Sequence, residues 1–250
     1  MRARSSIVTG GASGIGAATV TALQARGDAV TVVDLFRADI VADLTTAAGR
    51  DALGAIAGPV DVVVANAGTI GRGAADVHLN FFGAVATLER LRPALAAGHE
   101  PRAVASASFA VVGDVDDDLV AACLDDDEAA AEARAEGLDA VTIYGSTKRA
   151  LARWVRAQAP TPAWAGAGIA LNAVAPGIVR TAMTEPILAD PAGADYLTAT
   201  IPMPLGGIAA PEAVANAIAF FTAATTVSIT GQVLFVDGGA EAVTRGDDVW

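Results

Sequence analysis

Cysteine is almost missing from this chain. Cys123 is the only one, so no internal disulfide can form, and a buried structural thiol in a reducing cytoplasm is the expectation. Positive charge is scarce as well: 16 Lys and Arg stand against 28 Asp and Glu, a formal net charge of -12. Such a balance repels phosphate backbones and anionic lipid surfaces, which argues against a nucleic acid or a membrane as partner. No uninterrupted apolar run approaches the about 18 residues of a spanning helix. The positive mean hydropathy, +0.48, therefore reflects alanine and valine in a packed interior. The opening MRARSSIVTGG is basic, but its apolar stretch runs into glycine too early for a signal-peptide core, and nothing suggests export. With 53% hydrophobic residues over 250 positions, the chain is expected to fold as one domain, residues 1–250.

Short runs rich in valine and isoleucine recur at Ser6 to Thr9, Ala29 to Asp34, Asp61 to Ala65, Ala103 to Ala107, Ile169 to Val174 and Val233 to Val236. Their near-continuous apolar character predicts parallel strands buried on both faces. Alanine-rich segments between them, such as Ala17 to Arg26, Phe81 to Ala97 and Pro211 to Ala223, are long enough for crossover helices. The pattern predicts an α/β fold, a doubly wound Rossmann-type parallel sheet with helices on both faces. A ligand is then expected outside the carboxyl ends of the strands. The stretch from Gly113 to Asp139 breaks the rhythm with eleven acidic residues scattered among alanines. A solvated helical insertion is favoured over a metal site, because no loop of the EF-hand kind is present.

Directly after the first strand comes Thr9-Gly10-Gly11-Ala12-Ser13-Gly14-Ile15-Gly16, leading into a helix-forming segment. Glycines allow a tight turn and close backbone approach, and a helix N-terminus offers free N–H groups, so a pyrophosphate is expected there. Asp34 closes the second hydrophobic run 18 residues past Gly16. A carboxylate in that register accepts both hydroxyls of an adenosine ribose and repels a 2′-phosphate, which favours NAD over NADP; Arg37 nearby keeps NADP open. Farther on, Tyr144 and Lys148 stand four residues apart on one predicted helix face. A neighbouring ammonium is expected to lower the phenol's pKa and fit it for acid–base work.

Together with ANAG at Ala65 to Gly68, LNFFG at Leu79 to Gly83, YGSTK at Tyr144 to Lys148, NAVAPGIVRT at Asn172 to Thr181 and VDGG at Val236 to Gly239, the glycine segment resembles the short-chain dehydrogenase/reductase family from Ser6 to about Ala240. The resemblance implies Tyr144 as proton donor and acceptor, Lys148 bonding the nicotinamide ribose and lowering the Tyr144 pKa, and Asn80 holding a relay water. The family serine falls in AVASASFAVVG, where Ser108 is chosen because the family serine follows the strand's last residues; Ser106 remains the alternative. For the cofactor it implies Gly10, Ser13, Gly14, Ile15 and Gly16 at the pyrophosphate, Asp43 and Leu44 near adenine, and Asn66, Ala67 and Gly68 beside the ribose. Pro176, Gly177, Ile178 and Thr181 would surround the nicotinamide, with Asn172 structural.

The short Asp34-to-Asp43 spacing and the acidic insertion are similar to the 3α-hydroxysteroid dehydrogenase/carbonyl reductase subgroup. That likeness implies hydrophobic alicyclic substrates such as steroids or terpenoids, a homodimer rather than a tetramer, and a mobile lid from Ala182 to Ile208. The expected function is NAD-dependent interconversion of a secondary alcohol and a ketone. The rival readings are a non-catalytic NAD-binding regulator, and a dehydratase or epimerase with retained NAD.

Overall fold

The computed structural model describes residues 2–247 and 249. Its strands are β1 (Ser5–Thr9), β2 (Ala29–Asp34), β3 (Ile40–Val41), β4 (Val62–Ala65), β5 (Arg102–Ser106), β6 (Ala170–Pro176) and β7 (Val233–Val236). The longer helices are α1 (Gly14–Ala25), α2 (Ala47–Ala52), α3 (Ala74–Val77), α4 (Ala84–Ala96), α5 (Asp117–Leu124), α6 (Glu128–Ala135), α7 (Ala140–Gln158), α8 (Glu185–Leu188), α9 (Pro191–Thr200), α10 (Pro211–Thr222) and α11 (Ala240–Arg245). All seven strands join one parallel sheet in the order β3-β2-β1-β4-β5-β6-β7.

Side chains alternate across the sheet, and both faces are covered. Val8, Val62, Val64, Val104 and Val174 pack under α1 and α10. Ile7, Val63, Ala103, Leu171 and Ala173 pack with the helices of the opposite layer, among them α4 and α7. This two-sided burial is why the strands are runs of valine rather than alternating polar and apolar residues. The strand order reverses between β1 and β4, so the loop after β1 lies at the switch point where such sheets open a ligand crevice.

Two elements escape the hydrophobic pattern. The two-residue β3 extends the sheet past β2, with no helix between the two strands. Between α3 and α4 the helix widens into a π-helical turn over His78–Gly83, where the sequence reads as ordinary helix. The acidic insertion folds as α5 and α6. Its carboxylates have work: Asp116, Asp127 and Asp139 cap α5, α6 and α7. Asp116 also pairs with Arg134, and Glu128 grips Arg50 through two bonds of 2.8 Å while meeting His78 Nδ1 at 2.6 Å. Among the described residues no three His, Cys, Asp or Glu converge on a metal position. No described helix is long and apolar enough to cross a membrane.

Candidate active site

A cavity of about 590 Å³ runs along the carboxyl ends of the strands. One end is bounded by Asp34, Asp43 and Leu44, the middle by Gly10, Ser13, Gly14, Ile15, Asn66, Ala67 and Gly68, and the other end by Ser108, Tyr144, Lys148, Pro176, Gly177 and Thr181. Residues spread over the chain from Gly10 to Thr181 thus meet in one crevice.

The glycines after β1 have steric reasons. Gly10 has φ +67°, and a Cβ there would stand 2.8 Å from Ala67 Cα. Gly16 does not line the cavity; a Cβ on it would lie 1.9 Å from the Gly10 carbonyl oxygen, so its absence lets α1 close against the loop. Ser13 starts α1 without capping it through its side chain, and no acidic residue occupies the first turn. Free N–H groups and the positive helix end therefore face the cavity, as an anionic diphosphate requires. Asp34 ends β2 with Oδ2 accepting from Ala12 N at 3.0 Å and Oδ1 from Leu35 N at 2.7 Å, which holds the carboxylate against the glycine loop. Arg37 does not line the cavity. Phosphate-length space beside a glycine loop, with a carboxylate at one end, fits a dinucleotide.

At the far end, Tyr144 and Lys148 lie one turn apart on α7, whose start is fixed by Asp139 accepting from Val141 N and Thr142 N. The Lys148 ammonium, 3% exposed, donates to the Ser106 carbonyl at 2.8 Å and stands 5.7 Å from the Tyr144 ring centre. Burial pushes the Lys148 pKa down to about 8. Burial pushes the Tyr144 phenol up; a hydrogen bond from Ser108 pulls it back, and buried Asp76 pushes it further up. Burial sets the direction of this shift. Helical adjacency sets the distance between two groups, whereas desolvation, which dominates here, is set by the elements packed over them.

Strand β5 ends at Ser106, one residue earlier than the sequence run suggests, and Ser108 follows it as expected. The Ser106 hydroxyl donates to Asn66 Oδ1 at 3.1 Å. Ser108 opens a short 3-10 turn, accepting from Ala110 N, and lines the cavity together with Tyr144. Asn80 is fully buried in the π-helical turn and does not line the cavity. Its Oδ1 accepts from Thr69 N and its Nδ2 donates to Thr69 O, both at 2.9 Å. A Cβ on Gly68 would stand 3.0 Å from Asn80 Oδ1 and 3.2 Å from Lys148 Nζ, so a glycine there lets the two side chains approach the loop. Ile178 is also buried behind the lining; its N–H points to Met203 Sδ at 3.2 Å.

From Ala182 to Ile208, only Ala182, Met183 and Thr184 reach the cavity. Ile187, Tyr196 and Leu205 in this segment are exposed, Leu205 to 82%. Sequence reasoning also passed over Thr69, Arg72, Ala75 and Leu79, which line the same cavity. Leu79 adjoins Asn80 in the LNFFG motif and was within reach; Arg72 has no local pattern around it.

A family model described as Enoyl-(Acyl carrier protein) reductase matches residues 129–241. A curated relative, 3-alpha-hydroxysteroid dehydrogenase/carbonyl reductase from Comamonas testosteroni, is 34% identical over 96% of this chain and 97% of its own. The chain belongs to the short-chain dehydrogenase/reductase family. It is an oxidoreductase of that family, acting on hydroxyl or carbonyl groups, and stands close to the hydroxysteroid dehydrogenase/carbonyl reductases. Cis-4-hydroxycyclohexanecarboxylate dehydrogenase from Sinomonas cyclohexanicum is 32% identical over 96% of this chain and 97% of its own. Among solved structures, the 3-alpha-hydroxysteroid dehydrogenase from Pseudomonas sp. B-0831, complexed with NADH, superposes with a TM-score of 0.90 at 36% identity, covering 97% of this chain and 99% of that one.

Proposed function

We propose that the protein is an NAD-dependent dehydrogenase/reductase that interconverts a secondary alcohol and a ketone on a hydrophobic alicyclic substrate. The observation that carries this reading is the meeting of Ser108, Tyr144 and Lys148 at one end of a cavity whose other end is closed by Asp34. The relatives act, by their names, on hydroxysteroids and on a hydroxycyclohexanecarboxylate, both alicyclic alcohols. The carboxylate of Asp34 favours a free adenosine ribose over a 2′-phosphate, hence NAD.

A nicotinamide dinucleotide supplies or accepts the hydride when bound. In reduction, the Ser108 and Tyr144 hydroxyls hold the substrate carbonyl oxygen, and Tyr144 delivers a proton to it as negative charge builds there. The carbonyl gains one hydride on carbon and one proton on oxygen, and the product is the secondary alcohol. In oxidation Tyr144 takes the alcohol proton back. Lys148 keeps a cation beside the site and is anchored by the Ser106 carbonyl. Asn80 braces the Thr69 segment that borders Lys148. Donors fixed in a site shielded from water act more strongly on a developing oxyanion than water would.

The test follows absorbance at 340 nm with alicyclic alcohols and NAD or NADP. NADH formation that falls about 10²–10⁴-fold in Tyr144→Phe, with NADH binding retained, is the expected result. Tight NAD binding without turnover across steroid, terpenoid and simple cyclic alcohols would instead favour a non-catalytic binding protein. Turnover without net NADH would favour a dehydratase or epimerase.

A further inference from the structure

The 16 cationic side chains of this acidic chain are nearly all engaged. Among the described residues, only Arg37, Arg72 and Arg153 make neither an ion pair nor a side-chain hydrogen bond. Of these three, Arg72 alone lines the cavity. It shares that cavity with Ala75, Leu79 and Met183 and with Ser108 and Tyr144. The acids that border the cavity, Asp34 and Asp43, lie at the end away from Ser108 and Tyr144 and are held by Ala12 N, Leu35 N and Thr45. Arg72 is exposed, and although the chain has 28 acidic residues its guanidinium has no carboxylate within ion-pair distance, which leaves it open to an anionic group entering the cavity it lines.

The backbone that carries Arg72 is pinned. Gly71 and Gly73 flank it at φ +83° and +61°, a turn that side-chain-bearing residues rarely make. Asp76, fully buried on α3, accepts from Arg72 N at 2.8 Å through Oδ2. Asp76 makes no ion pair with the Arg72 guanidinium, and its Oδ1 has no partner. Its carboxyl therefore shapes the turn, while its charge reaches the Arg72 guanidinium only from beyond ion-pair distance.

We infer that Arg72 receives a carboxylate of the substrate, so that the site selects an alicyclic ketone or alcohol bearing one carboxylate over its neutral analogue. The inference rests on the oxidoreductase reading of the same cavity. One guanidinium matches one planar carboxylate through paired N–H···O bonds, whereas a phosphate dianion would find no second cation on this wall. The apolar neighbours take the ring, and Arg72 sets which end of it enters first.

The experiment compares NADH-dependent reduction of 4-oxocyclohexanecarboxylate and its methyl ester by the wild type, Arg72→Met and Arg72→Lys, with calorimetric titration of both compounds into NADH-saturated protein. The wild type is expected to favour the acid by about tenfold or more in kcat/KM, chiefly through KM, as a charge-assisted hydrogen bond allows. In R72M the acid-to-ester ratio falls to about 1, and in R72K part of it survives. Added salt lowers the ratio in the wild type. A wild-type ratio near 1, or a ratio unchanged in R72M, overturns the inference while leaving the oxidoreductase reading intact. If neither compound is reduced, the titration decides: tighter binding of the acid that is lost in R72M upholds the role of Arg72 against a failed catalytic reading. Equal binding of the two, or none, overturns it.

Discussion

Lys148 is the chain's single lysine, and the fold makes its charge expensive. Burial lowers its pKa from the ordinary 10.5 to about 8. At 1.36 kcal/mol per pKa unit, carrying the ammonium at neutral pH costs the cofactor-free protein about 3 kcal/mol. Because the folded-state value lies below the unfolded one, that cost is fully present below about pH 8 and is relieved as the pH rises from there toward 10.5. Replacing Lys148 with Met removes the cost, but it also leaves the Ser106 carbonyl, now bonded at 2.8 Å, without its donor. An orphaned carbonyl costs about 1–3 kcal/mol, so the two nearly cancel at pH 7 and the midpoint there is uninformative. The slope is informative. Urea unfolding without cofactor, at fixed protein concentration, should show the wild type gaining about 2 kcal/mol on the variant between pH 8 and 9.5, at about 1.36 kcal/mol per pH unit. Other groups titrate equally in both proteins and drop out of the difference. Parallel pH profiles for wild type and K148M would refute the reasoning, since they would mean that Lys148 is solvated or fully paired in the folded state. K148M should lose kcat/KM even where its stability matches the wild type near pH 7, separating the cost of the cation from its use.

Gly16→Ala puts a Cβ within 1.9 Å of the Gly10 carbonyl, and a thermal melt with NADH titration should show a loss of about 1–3 kcal/mol together with weakened cofactor binding. Asp34→Ala should lower the NAD-over-NADP preference in kcat/KM at least about tenfold, roughly 1.4 kcal/mol; an unchanged ratio would sink the role given to that carboxylate. Asp76 is raised above the ordinary 3.8 by burial, so the wild type should lose stability as pH climbs through its folded-state value, and Asp76→Asn should remove that part of the pH dependence of urea unfolding. Cys123 is buried, with its thiol pushed up to about 12, and should react with a disulfide reagent at pH 8 only upon unfolding. We propose a homodimer, for which light scattering should give twice the 24.9 kDa chain mass; a tetramer would refute it.

The parts of this fold that could be read from the chain are those whose cause is local. Parallel strands covered on both faces must be continuously apolar, so Val62 to Ala65 and Arg102 to Ser106 announce themselves within a residue or two. A glycine loop between a strand and a helix is likewise a local device, and Gly10, Gly14 and Asp34 meet where their spacing requires. β3, at two residues, is too short to leave a pattern, and the π-helical turn hides because Leu79, Phe81 and Phe82 keep helical apolar spacing through it. The Tyr144–Lys148 pair shows the limit more sharply. Its geometry followed from the i, i+4 spacing, but the direction of the phenol shift did not, because the desolvation comes from segments far off in sequence.

Asp76 carries the same point into function. Four residues before Asn80, it occupies an interior position on a short helix, where an apolar side chain would cost nothing and a carboxyl with an unpartnered oxygen is penalised. A local choice that contradicts the packing around it is a mark of a working site rather than of the core. Here the contradiction has a visible use: the carboxyl gathers the backbone of the Gly71–Gly73 turn and holds Arg72 at the cavity. Arg72, isolated between glycines in the sequence, gains its meaning only from the buried acid four residues on and from the tyrosine that faces the same space.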